Sequence, residues 1–119
     1  MAGHFVDKYK IVLIPFPYDD LSSNKVRPAV CLTDPIGPHG HIVLAFITSH
    51  APENPLVSDL VITPEHSEFP DTGLRVSSTL QLHRLITLSA SLIQRELGVL
   101  GQKLQQEVDA RLRNLFALK

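Results

Sequence analysis

The sequence predicts a mainly β chain with one helix, an α+β fold in which short strands form a small barrel or sandwich and a helix closes the C-terminus. Three observations predict it. Apolar, β-branched runs recur at Ile11–Phe16, Pro28–Thr33 and His41–Thr48, each bounded by turn-forming residues. Ser77–Leu82 alternates polar and apolar, as a half-exposed strand does. Past Gly101 the period changes, and Leu104, Val108, Leu112 and Leu115 fall on one face of a helix with Phe116 alongside.

Each element follows from its residues. Ile11–Phe16 is a buried strand whose end, with Pro15 and Pro17 lacking amide donors, must lie at an edge or bulge. Tyr18–Val26 carries Asp19, Asp20, Ser22, Ser23 and Asn24 and reads as an exposed loop. Pro28–Thr33 is the second strand, and Asp34–Gly40 a turn rich in Pro and Gly. His41–Thr48 is apolar almost throughout, which implies burial on both faces. Leu56–Val57 and Leu60–Thr63 read as short extended pieces, and Pro64–Asp71 as a loop. Leu92–Leu100 could be a strand or a helix extension. Gly98 and Gly101 interrupt any long helix, which favours a strand there and a helix from about Gln102, where Glu107 and Arg111 sit one turn apart.

Length and composition narrow the function. The 119 residues suit one domain spanning 1–119, and 44% apolar content suits a packed core. A formal net charge of −1 supplies no global attraction for nucleic acid, so any such binding needs a local patch. Lys8, Lys10, Lys25, Arg27, Arg75 and Arg84 are its candidates. Cys31 is the one cysteine, which rules out an intrachain disulfide, and its apolar surroundings favour packing over nucleophilic chemistry. No signal pattern opens the chain and no apolar run approaches a bilayer-spanning length, so the expected location is the cytoplasm, with no membrane partner.

Arg27, Thr48 and His83 are the candidates for chemistry on a nucleic acid that such a patch could bind, with RNA cleavage as the case in point. RNA carries its own nucleophile, the 2′-hydroxyl. Its cleavage needs that group deprotonated, the phosphorane neutralised and the departing 5′-oxygen protonated. Arginine suits the second task because its planar fork donates to two phosphate oxygens while staying charged. Pro28 holds Arg27 extended at a strand mouth; the plainer reading is a surface pair with Asp19 or Asp20. Thr48 and Ser49 end an apolar strand, where a hydroxyl can meet a phosphate or simply cap a turn. His83 could carry a proton, or be a solvated surface residue. His39-Gly-His41 lacks acids at ligand spacing, so neither a metal nor another cofactor is expected.

The chain resembles the PemK/MazF family of toxin ribonucleases over about Tyr9–Leu118. The residues that carry the resemblance are IVLIPFPYDDLSSNKVRPAVCL, VLAFITS, Gly73-Leu74-Arg75 with Ser78, LITL and a C-terminal helix, in that order. The resemblance implies an SH3-like barrel with an added helix. It also implies a homodimer that cuts single-stranded RNA without metal, and an antitoxin protein that lays a disordered tail across the RNA groove. Arg27 matches the arginine at the scissile phosphate and Thr48 the hydroxyl beside it. Ser49 and the loop Asp19, Ser22, Ser23, Asn24 and Lys25 match substrate-contacting positions, and Arg75, Ser78 and Gln81 are further expected RNA contacts.

The chain departs from the family at Tyr9-Lys10, where Gly-Asp is usual. It departs again on the later strand, where Gln81 and His83 stand at positions that hold an arginine and an aspartate in some members. The expected function is a sequence-selective endoribonuclease toxin that cleaves messenger RNA to 2′,3′-cyclic phosphate and 5′-hydroxyl ends. The alternative is an inert SH3-like module of the same descent, which binds RNA or a peptide tail without cutting.

Overall fold

A computed structural model describes residues 6–16 and 25–119. Six antiparallel strands form one sheet: β1 Lys10–Pro15, β2 Val26–Cys31, β3 His41–Thr48, β4 Asp59–Ile62, β5 Ser78–Ser89 and β6 Arg95–Val99. Their spatial order is β4-β5-β3-β2-β1-β6, and the sheet curls into a half-barrel. The helix α1, Gln102–Leu115, follows β6 directly. The helix starts at Gln102 as expected, and the strand favoured over Leu92–Leu100 is the shorter Arg95–Val99, since Leu92 ends a short 3-10 helix, Ala90–Leu92.

Neighbouring residues on the central strands feed two apolar clusters. Ile11, Val30, Ala45 and Ile47 join one, with Leu104 and Val108 of α1. Val12, Ala29, Cys31, Leu44 and Phe46 join the other. Side chains alternate across a strand, so burial on both faces demands an almost unbroken apolar run, as in β3. Cys31 is fully buried, and burial pushes its thiol up to about 12, as a packing residue requires.

Prolines mark where pairing stops. Pro15 ends β1 beyond Leu13, the last β1 residue that faces β6. Pro28 sits in β2 opposite Leu13 of β1, but the ladder from β2 to β3 begins only at Ala29↔Phe46. Lacking an amide donor, Pro28 cannot extend that ladder, and the two strands part there.

Further segments differ from the sequence reading, among them Phe69–Thr72, a short 3-10 helix at the end of the stretch read as a loop. Leu56–Val57 is a turn, closed by the Asp59 amide on the Leu56 carbonyl at 3.0 Å and the Leu56 amide on Asp59 Oδ2 at 2.9 Å. The strand expected to end at Leu82 instead continues to Ser89. Its ladder with β3 steps from Ala45↔Leu85 to Phe46↔Gln81, so residues 82–84 bulge out of the register.

The helix is anchored from outside itself. Gly101 at its N-cap has no side chain to offer, and Glu68 supplies the cap, accepting from the amides of Lys103 at 3.0 Å and Leu104 at 2.9 Å. A Cβ on Gly101 would overlap the Glu68 carboxyl group, so glycine is what makes room for this borrowed cap. These amide bonds, Lys103 foremost, hold the Glu68 carboxyl below the usual carboxylate range. Farther along, the Tyr9 hydroxyl donates to Asp109 at 2.8 Å and ties the start of β1 to the helix. Burial, reinforced by that bond, raises the Tyr9 phenol.

A cationic cleft at the fork between two strands

The parting of β2 from β3 opens a cleft of about 520 Å³. Val26, Arg27 and Pro28 form one wall; Phe46, Ile47, Thr48, Ser49 and His50 run along the β3 side. Gln81 and Arg84 come from β5, and Leu74, Arg75 and Val76 from the loop before it. The β2–β3 ladder pairs Ala29 with Phe46, Val30 with Ala45 and Cys31 with Leu44. Beyond Ala29 and Phe46 the two strands part, and Arg27 and Pro28 on one side and Ile47 and Thr48 on the other line the opening. The arginine and the hydroxyl singled out in the sequence thus end opposing strands at the mouth of one cleft.

Aromatic rings orient the guanidinium groups. Arg27 lies over the Phe16 ring at 5.1 Å and Arg84 over Phe46 at 5.5 Å, while the two rings meet edge to face at 5.4 Å. Arg27 Nη1 also donates to its neighbour's carbonyl, Val26 O, at 3.1 Å. Thr48 Oγ1 accepts the His50 amide at 3.1 Å, which leaves the hydroxyl proton to donate to an anion. Arg75 is placed by Gly73, whose positive φ of 73° turns the chain after a short 3-10 helix, Phe69–Thr72. Thr72 Oγ1 fixes that turn by accepting the Leu74 amide at 3.1 Å.

Charge is concentrated here although the chain as a whole is near neutral. The described lining holds Arg27, Arg75 and Arg84 and no carboxylate. The other basic candidates lie elsewhere: Lys10 pairs with Glu96 at 2.9 Å, and Lys8 rests over the Tyr9 ring. Among the described residues, no group of three His, Cys, Asp or Glu side chains could hold a metal ion.

The remaining expected contacts divide. Ser49 is exposed in the cleft, and Gln81 Oε1 accepts from Arg84 Nη1 at 3.4 Å. Ser78 also lines it, but is buried with its hydroxyl donating to Val76 O at 2.9 Å, so it shapes the wall. Lys25 is exposed just outside, its carbonyl accepting the Phe16 amide at 3.2 Å. Asp19, Ser22, Ser23 and Asn24 lie outside the described residues, as does Asp20.

His83 is not brought to the cleft. Its Nδ1 shares a hydrogen bond with Ser58 Oγ at 3.0 Å, and it is absent from the lining. Strict alternation along a strand would have placed Gln81 and His83 on one face. The bulge at residues 82–84 breaks that parity and puts Arg84 in the cleft beside Gln81. His50 also lines the cleft and was not singled out in the sequence; its place two residues beyond Thr48, at a strand end, is the signal that could have found it.

The sequence model of the PemK-like, MazF-like toxins of type II toxin–antitoxin systems matches residues 7–116. The chain belongs to this family. Among curated proteins nothing matches. Solved structures show the fold of the family. The "Mycobacterium tuberculosis toxin MazF-mt6" is 20% identical with a TM-score of 0.70, over 92% of this chain and 98% of that one. An endoribonuclease from a mycobacterial species, solved in complex with its cognate antitoxin, is 11% identical with a TM-score of 0.70, over 96% and 97%. A MazE–MazF structure from Deinococcus radiodurans is 17% identical with a TM-score of 0.68, over 98% and 100%. The family usually has glycine where this chain has Tyr9, and Tyr9 adopts a φ of 75°, a conformation that favours glycine.

Proposed function

We propose that this chain is the toxin of a type II toxin–antitoxin pair and a metal-independent, sequence-selective endoribonuclease. Its substrate is single-stranded messenger RNA, and its products carry 2′,3′-cyclic phosphate and 5′-hydroxyl ends. The observation that carries this reading is that Arg27 and Thr48 line one cleft whose described lining is cationic and free of carboxylates. Family membership adds the reaction class.

Arg27 stabilises the phosphorane with two parallel donors, and Thr48 donates to a non-bridging phosphate oxygen. Arg75, Ser49 and Gln81 contact the flanking nucleotides, and Ser78 keeps the wall in place. The loop from Asp19 through Ser22, Ser23 and Asn24 to Lys25 contributes further RNA contacts. Single-stranded RNA suits such a site because unstacked bases can splay into the cleft while arginines follow the backbone. His83, bonded to Ser58, receives no part in this scheme.

The partners are an antitoxin protein, as the complexes of similar structures suggest, and a second copy of the chain. One observation favours the alternative of an inert binding module: the histidine expected to move a proton is engaged outside the cleft. Incubation of the purified protein with a diverse pool of unstructured RNA in EDTA separates the two. Discrete cuts bearing cyclic phosphate ends are expected. Cutting that appears only on adding a divalent metal would overturn the metal-independent route, and an uncut pool under both conditions would favour the inert module.

A further inference from the structure

We propose that His50 is the general base of the cleavage step, an inference that rests on the ribonuclease reading. The described cleft is rich in donors and poor in acceptors of a proton. Its three guanidinium groups donate and stay charged, its hydroxyls are weak bases, and it has no carboxylate. Among the described lining residues, His50 alone has a basic nitrogen of the type that exchanges a proton near neutrality. Its backbone is held beside Thr48, since its amide donates to Thr48 Oγ1 at 3.1 Å, and both residues line the cleft together with Arg27. The side chain is exposed, so an incoming ribose can reach it. The charged groups that share the cleft with it are Arg27 from β2, Arg75 from the loop after Gly73 and Arg84 from β5.

In the step, a ring nitrogen of His50 takes the proton of the 2′-hydroxyl as the 2′-oxygen bonds to phosphorus. The bond from phosphorus to the 5′-oxygen breaks, and that oxygen takes a proton from water. The imidazolium then returns its proton to solvent. The sum is an RNA strand divided into a 2′,3′-cyclic phosphate and a 5′-hydroxyl, with no oxidant or metal consumed.

The test is single-turnover cleavage of an unstructured RNA in EDTA across about pH 5–8, the range an imidazole spans. The wild-type rate is expected to fall on the acid side. His50→Gln should remove that limb and lower the plateau by roughly 10²–10⁴-fold, with an unchanged thermal melt. The same deficit should persist on RNA whose 5′-bridging oxygen is replaced by sulfur, because a thiolate leaves without protonation. A deficit that vanishes on the sulfur substrate makes His50 the acid and overturns the assignment. An active wild type with an unchanged His50→Gln profile also overturns it, most plainly if Asp19→Asn, Asp20→Asn or His83→Gln removes the acid limb instead. A wild type that cuts neither RNA overturns the ribonuclease reading itself, and the inference with it.

Discussion

At the scale of single residues, Arg27 and Thr48 line one opening because one proline withholds one amide. Pro28 ends the β2–β3 ladder, and Arg27 and Thr48 both line the opening beyond it. Arg-Pro was legible in the sequence as an extended backbone at a strand mouth, but not as the end of the β2–β3 ladder, which only the structure gives. Cys31 was equally legible, as a small apolar residue in an apolar run. The pairing of Gln81 with Arg84 was not, because an alternating pattern cannot reveal three residues that leave the register. If the Thr48 hydroxyl meets the phosphate, Thr48→Val should cut turnover by roughly 10²-fold at nearly constant volume. Near-normal turnover would reduce Thr48 to a turn residue that receives the His50 amide.

At the scale of elements, strands and helix were legible where their periods were clean. β3 runs over the very residues of its apolar stretch, and Gly101 separates β6 from α1, whereas Gly98 lies within β6, where a Cβ would overlap the backbone of Asp71 and Thr72. β5 was read short because the bulge interrupts its alternation at residues 82–84. The cap on α1 was invisible, since Glu68 stands far from the helix in sequence and Gly101 gives no sign of needing it. Because folding lowers the Glu68 carboxyl, the unfolded chain binds the proton more readily. The cap's contribution is therefore complete above the unfolded glutamate value of about 4.3 and lost as pH falls through the lower folded value. Glu68→Gln should lower the melting temperature near pH 7, and the difference from wild type should shrink towards pH 3. A constant gap across that range would mean the charge at the helix start contributes nothing.

At the scale of the whole molecule, net charge misleads. A chain at −1 gathers three arginines in one cleft while other basic side chains are paired or stacked elsewhere. Composition reports the total, and only the fold decides where the charges collect. Apolar surface also remains uncovered. Leu115, read on one helix face with Leu104 and Val108, and Phe116 at the helix end are 36% and 53% exposed, whereas Leu104 and Val108 are buried. Leu56, Val57 and Val61 are exposed beside the edge strand β4. A second copy would hide such faces, so sedimentation at micromolar concentration should show a dimer. A monomer there would contradict the proposed two-fold assembly. No helix among the described residues is long and apolar enough to cross a membrane.

The central claim is that a guanidinium fork at Arg27 stabilises the phosphorane in RNA cleavage. Single-turnover cleavage of unstructured RNA in EDTA by Arg27→Lys tests it most directly, because lysine keeps the charge and loses the fork. A fall of roughly 10²–10³-fold, close to that of Arg27→Ala, is the expected result. Cleavage by Arg27→Lys at the wild-type rate would contradict the account.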